Sequence, residues 1–150
     1  MKKILFVCLG NICRSPLAEG IARNYIKKNT LDILVDSSGT GHWHIGEKPC
    51  DNSIKVAKLH GVDISQQKAR QVDKEDFSKF DIIVGLDDKN IENLKILGCP
   101  AQKLKKLGAY GYNSEDVPDP YFFDGFEGFE KVYDMIEKCT INLLKEELKD

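Results

Sequence analysis

Several patterns are missing from this 150-residue chain, and each absence removes a class of protein. There is no surplus of basic charge: 22 Lys and Arg stand against 24 Asp and Glu, a formal net charge of −2 at pH 7. Nothing in that balance could neutralise a phosphate backbone, so nucleic acid is not an expected partner and any anion must be recognised locally. No stretch approaches the ~18 apolar residues of a membrane-spanning helix, so no membrane association is expected. The five cysteines, Cys8, Cys13, Cys50, Cys99 and Cys139, contain no CxxC pair, which argues against a zinc site or a thioredoxin-type motif. Of the three histidines, His42 and His44 flank Trp43 without a third ligand nearby, so solvated loop histidines are expected and neither metal nor cofactor. Lys2-Lys3 before an apolar run imitates the start of a secretory signal, but the run breaks at Gly10-Asn11 and no cleavage site follows. A cytoplasmic protein is expected, with its thiols reduced.

What is present is an ordinary globular composition, 41% hydrophobic and 31% charged, at a length suited to one domain spanning 1–150. Ile4 to Cys8 is a continuous apolar run, the mark of a strand covered on both faces and hence of a parallel sheet. Ser15 is placed to cap a helix with Pro16 at its first position, and Leu17, Ala18, Ile21, Ala22, Tyr25 and Ile26 follow at helical spacing. Ile33-Leu34-Val35 predicts a second strand ending in a polar loop, Asp36 to Gly41. A helix over 52–60 stops at Gly61, Asp81 to Leu86 is a third buried strand, and a helix over 90–97 ends at Gly98. Lys103 to Leu107 is a polar edge-strand candidate whose Lys103, Lys105 and Lys106 should be solvated. Residues 109–125 form a long loop rich in Gly, Asn, Asp and Pro, and a last helix spans 126–148. This alternation implies an α/β three-layer sandwich, flavodoxin-like, with a four-stranded, largely parallel sheet between helices. Ligands of such sheets bind beyond the carboxyl ends of the strands, where Cys8, Ser37 and Leu86 would lie.

The stretch FVCLGNICRSP, Phe6 to Pro16, is the most informative. Cys8 ends the strand, and Leu9, Gly10, Asn11, Ile12 and Cys13 form a loop whose amides could surround an oxyanion, with Gly10 letting the backbone turn inward. The helix start adds its positive end, and Arg14 adds a fork of donors with a permanent charge. Those donors, with the Ser15 hydroxyl, would favour a Cys8 thiolate. Two readings therefore compete: Cys8 as a buried strand end with an ordinary turn, or as a nucleophile under an anion site.

Here the chain resembles a known family. VCLGNICRSPLAE is similar to the signature of the low-molecular-weight protein tyrosine phosphatases, and VDSSGT (35–40), ARQV (69–72), Phe80-Asp81 and DPYF (119–122) match in family order. The resemblance implies metal-free hydrolysis of phosphotyrosine in proteins or peptides. Cys8 would be the nucleophile, Arg14 and the loop amides of Leu9 to Ser15 would bind phosphate, Asn11 and Ser15 would shape the loop, and Ser37 would brace Asn11. Asp119 would be the general acid. Chemistry supports an acid in that loop, because a phenolate leaves slowly without a proton. Asp116 and Asp124 are its rivals, and Asp119 is preferred because Pro120 restricts its backbone.

The resemblance places Trp43 and Tyr121 on the substrate rim, and for Cys13 it suggests a reversible disulfide with Cys8 as an alternative to a packed thiol. Gln66-Gln67 stand where relatives often have histidine; Gln67 could keep a hydrogen bond but could not titrate. A monomer, or at most a weak dimer, is expected. Two other functions fit the loop. A thiol-dependent arsenate reductase would need a further cysteine pair, and Cys50, Cys99 and Cys139 lie far apart in sequence. A non-enzymatic phosphotyrosine-binding module would have little use for Cys8, Arg14 and Asp119 together.

Overall fold

Alternating strands and helices build the molecule, whose computed structural model describes residues 1–123 and 125–148. In chain order these are β1 (Lys2–Cys8), α1 (Arg14–Asn29), β2 (Ile33–Gly39), α2 (Asp51–Leu59), α3 (Asp76–Lys79), β3 (Ile82–Gly85), α4 (Asp88–Ile96), β4 (Leu104–Lys106) and α5 (Glu127–Glu147). The strands pair in the order β2-β1-β3-β4, and every pair is parallel. β1 is central, which explains its unbroken apolar run: Ile4, Leu5, Phe6 and Val7 are wholly buried.

Alternation along β1 divides the core in two. Ile4, Phe6 and Cys8 face a cluster built with Leu17 and Ile21 of α1 and Val132, Ile136 and Leu143 of α5. Leu5 and Val7 face Phe77, Phe80 and Leu94 on the other side. The result is the expected three-layer sandwich, and the same alternation fixes the side toward which Cys8 points. The chain passes from β1 to β2 on one flank and then to β3 on the other, so the strand order switches beside β1, where crevices form in open α/β sheets.

Some local expectations change. α1 begins at Arg14 with Cys13 in the capping position, and no side chain caps it; the Ser15 hydroxyl is occupied elsewhere. β2 extends through Asp36–Gly39, expected as loop, because its pairing with β1 continues to Cys8 opposite Gly39. The expected loop from 109 begins inside a 3₁₀ helix, Leu107–Tyr110, and the loop after it contains a second one at Pro120–Phe122. The middle of that loop is held to the sheet end by the Val117 amide, which donates to the Leu86 carbonyl at 2.8 Å. Nor are the edge lysines simply solvated. Lys103 donates to the carbonyls of Phe77 and Phe80 at the end of α3, and Lys106 pairs with Asp88 and Asp116; only Lys105 is fully outward.

Candidate active site

At the carboxyl end of β1 the chain folds back over the sulfur of Cys8. The Asn11 amide donates to Sγ at 3.3 Å, and the Ser15 hydroxyl lies 3.0 Å from the same atom. The bend comes from Asn11, whose φ of 58° is left-handed, and not from Gly10. Gly10 leaves room instead: a Cβ there would come within 3.1 Å of the His44 ring. Gly39 matters similarly, because a Cβ on it would sit 2.7 Å from the Leu9 carbonyl oxygen and 3.0 Å from the Asn11 amide nitrogen. The close approach lets Thr40 and Gly41 donate to the carbonyls of Cys8 and Leu9.

A left-handed asparagine needs bracing, and a chain of buried polar groups supplies it. Asn11 Nδ2 donates to Ser15 Oγ at 2.8 Å and to Ser37 Oγ at 3.0 Å, while its Oδ1 accepts from the Arg70 amide at 3.0 Å. Ser37 in turn donates to Glu19 Oε1 at 2.6 Å, and Arg23 donates to Glu19 Oε2 at 2.8 Å. Burial raises the Glu19 pKa, only partly opposed by the hydrogen bonds from Ser37 and Arg23. Ser37 thus braces Asn11, and Glu19 stands behind it.

Arg14 is buried and oriented by two acceptors on one nitrogen: Nη1 donates to Asp87 Oδ2 at 2.8 Å and to the Val117 carbonyl at 2.9 Å. Burial works against its charge, but Cys8, Asp87 and Asp119 outweigh that cost and raise its pKa. The guanidinium is therefore a fixed cation beside the sulfur. A cleft of ≈ 230 Å³ opens above, lined by Cys8, Arg14, Asp119, Trp43 and Tyr121, with Leu9, Gly10, Ile12, Cys13 and His44 completing it. His44, expected in solvent, thus reaches the cleft while its Nδ1 contacts Glu47 at 2.8 Å.

Asp119 is held by its neighbour, since the Tyr121 amide donates to its Oδ1 at 2.9 Å. Asp116, the other described candidate, does not line this cleft and has partners of its own. Its carboxylate contacts Lys106 Nζ at 2.7 Å, accepts from the Asp88 amide, and has a lowered pKa chiefly through Lys106. Asp124 lies outside the described residues. On the rim, Trp43 is exposed and stacks on His42, and Tyr121 packs edge-on against Phe129. Gln67 Nε2 donates to the Pro16 carbonyl at 3.1 Å, bracing the start of α1. Among the described residues no group of three or more His, Cys, Asp or Glu is placed to hold a metal ion.

The family model of low molecular weight phosphotyrosine protein phosphatase matches residues 3–150. The chain belongs to that family. The low molecular weight protein-tyrosine-phosphatase PtpA of Staphylococcus aureus (strain bovine RF122 / ET3-1) is 39% identical over 100% of this chain and 96% of its own. Among solved structures, a protein tyrosine phosphatase from Entamoeba histolytica, described as a product state mimic, superposes with a TM-score of 0.91 at 35% identity. It covers 100% of this chain and 97% of that one. A Drosophila arginine phosphatase superposes with a TM-score of 0.90 at 34% identity, covering 100% of this chain and 99% of that one.

Several parts of this phosphatase site were not read from the sequence. Glu19 sits on the buried face of α1, four residues after Ser15, where a carboxylate signals a polar role. Asp87 and Arg70 belong to segments distant from the loop, and nothing in their spacing linked them to it. Cys50 is the largest surprise: its Sγ lies 2.7 Å from that of Cys13. A cysteine pair thus exists beside the loop, though sequence separation argued against one.

Proposed function

We propose that this protein hydrolyses phosphotyrosine in proteins, and small aryl phosphates, through a cysteinyl-phosphate. As a family member it is a hydrolase of the protein-tyrosine-phosphatase type. The observation that carries the detailed reading is Cys8 Sγ within reach of both the Ser15 hydroxyl and the Asn11 amide, in a cleft shared with Arg14 and Asp119.

In this reading the Cys8 thiolate attacks phosphorus in line with the phenolic oxygen, an S–P bond forms and the P–O bond breaks. Asp119 gives its proton to the departing oxygen, then takes one from the water that hydrolyses the intermediate. Ser15 receives from Asn11 Nδ2, and its own proton can turn from the Ser38 carbonyl at 3.4 Å to the nearer sulfur at 3.0 Å as the thiolate regains charge. Arg14, held by Asp87 and Val117, meets the equatorial oxygens without having to reorganise. Leu9, Ile12, Trp43 and Tyr121 give the walls apolar and aromatic surface suited to a phenyl ring. A cytoplasmic monomer acting on phosphoproteins is part of the same proposal.

The test is a rate measurement with an aryl phosphate and a phosphotyrosine peptide, with and without a chelator. Turnover unaffected by chelator, abolished by Cys8→Ser, and faster on phosphotyrosine than on a matched phosphoarginine peptide supports the proposal. Full activity of Cys8→Ser, or a preference for phosphoarginine, contradicts it.

A further inference from the structure

Cys50 is not part of the machinery above, yet it is placed against it. It occupies the capping position of α2, where the unpaired amides of a helix start favour negative charge. Its Sγ faces Cys13 Sγ at 2.7 Å and Ser53 Oγ at 3.1 Å, and Ser53 Oγ donates to the Cys13 carbonyl at 2.9 Å. The backbones are joined as well, since the Cys50 amide donates to the Ile12 carbonyl at 2.8 Å. Both thiols are half-buried rather than sealed in the core, unlike Cys99 and Cys139. Cys50 lines a groove with Ile12, Lys48, Asn52 and Tyr121, open beside the cleft that Cys13 lines.

We propose that Cys13 and Cys50 form a redox-active dithiol that closes reversibly to a disulfide when it meets a peroxide. The sulfurs need move less than an ångström to reach bonding distance near 2.05 Å, and the paired backbones hold them there. Cys50 is the attacking thiolate: chiefly through the hydrogen bond from Cys13 its pKa is lowered to about 6, while Cys13 is raised and stays the protonated partner. Cys50 Sγ attacks one peroxide oxygen, an S–O bond forms, the O–O bond breaks, and the departing hydroxide or alkoxide is protonated. The Cys13 sulfur then displaces hydroxide from the Cys50 sulfenic acid, forming the S–S bond and releasing water with the Cys13 proton. Two thiols are oxidised and one peroxide is reduced. A cellular dithiol reverses the reaction by exchange.

The consequence concerns Cys8. A Cys13 sulfur turned to Cys50 is not turned to Cys8, so Cys50, and not the nucleophile, is the disulfide partner of Cys13.

The experiment is peptide mapping by mass spectrometry under non-reducing conditions after treatment with one equivalent of hydrogen peroxide, free thiols being alkylated first. It reads sulfur chemistry alone and does not depend on phosphatase activity. The wild type should lose two hydrogens, about 2 Da, and alkylatable thiols should fall from five to three, with Cys13 linked to Cys50 and Cys8 alkylated. Dithiothreitol should restore all five. In Cys50→Ser, and equally in Cys50→Ala, Cys8 should become the oxidised site. A Cys8–Cys13 link in the wild type, or Cys13 and Cys50 both recovered free while Cys8 is oxidised, overturns the proposal.

Discussion

The carboxylate of Asp87 holds Arg14 through Oδ2 at 2.8 Å while its Oδ1 caps α4 by accepting from the Asn90 amide at 2.7 Å. One side chain thus fixes both the cation of the site and the start of a helix. Asp87→Asn keeps a capping oxygen but weakens the grip on Arg14, so kcat/KM should fall by about 10- to 100-fold, from the ~1.5–3 kcal/mol of a charged hydrogen bond. Asp87→Ala should lose that and a further ~1 kcal/mol of stability with the cap. Steady-state kinetics and thermal melts of both variants separate the two effects.

Asp119 and Asp116 make a paired prediction. Asp119→Ala should slow phosphotyrosine far more than p-nitrophenyl phosphate, whose leaving group needs a proton less, by about 10²–10⁴-fold for the former. Asp116→Asn should leave that leaving-group dependence as in the wild type, because Lys106 already keeps Asp116 ionised. Rates across a series of aryl phosphates give the comparison.

Gly39 carries the loop on its bare backbone. Gly39→Ala puts a methyl against Leu9 and Asn11, with backbone atoms that cannot swing aside. Overpacking of this kind costs about 1–3 kcal/mol, and activity should drop with it as the loop is pushed away. Gly46→Ala serves as the control: nothing lies near its added Cβ, so the loop should be unaffected even if its φ of 85° strains the turn.

Glu19 should make stability depend on pH. Its folded pKa is raised, so the folded state holds this proton more tightly than the unfolded chain. The stability it contributes is present below the unfolded Glu value of about 4.3 and is lost as pH rises through the folded value. Glu19→Gln keeps an acceptor for Ser37 and removes this titration. The Tm of the variant minus that of the wild type should therefore be more positive near pH 7 than near pH 4.

Much of this was legible because local chemistry and global fold agree. The unbroken apolar run from Ile4 to Cys8 marks a strand covered on both faces, and that puts Cys8 at a sheet end. Pro120 and the DPYF match point to Asp119, and the fold brings that residue into the cleft of Cys8 and Arg14. Features set by tertiary approach were not legible. Asn11 takes the left-handed turn in place of the adjacent glycine because Ser15, Ser37 and the Arg70 amide satisfy its amide group. Ser15 surrendered its expected cap for the same reason. Polar residues 36–39 read as loop, yet they extend β2, since buried Ser37 finds partners in Asn11 and Glu19 that sequence cannot display. Cys13 and Cys50 are 37 positions apart and meet only because α2 starts against the loop.

The most direct test of the central claim is to trap the phosphoryl group on sulfur. The enzyme is mixed with excess p-nitrophenyl phosphate, quenched in acid within the first turnovers, digested, and its peptides mapped for added phosphate. Phosphate on Cys8, absent from Cys8→Ser, is the predicted result. Phosphate on any other residue, or phosphatase turnover persisting in Cys8→Ser, would contradict it.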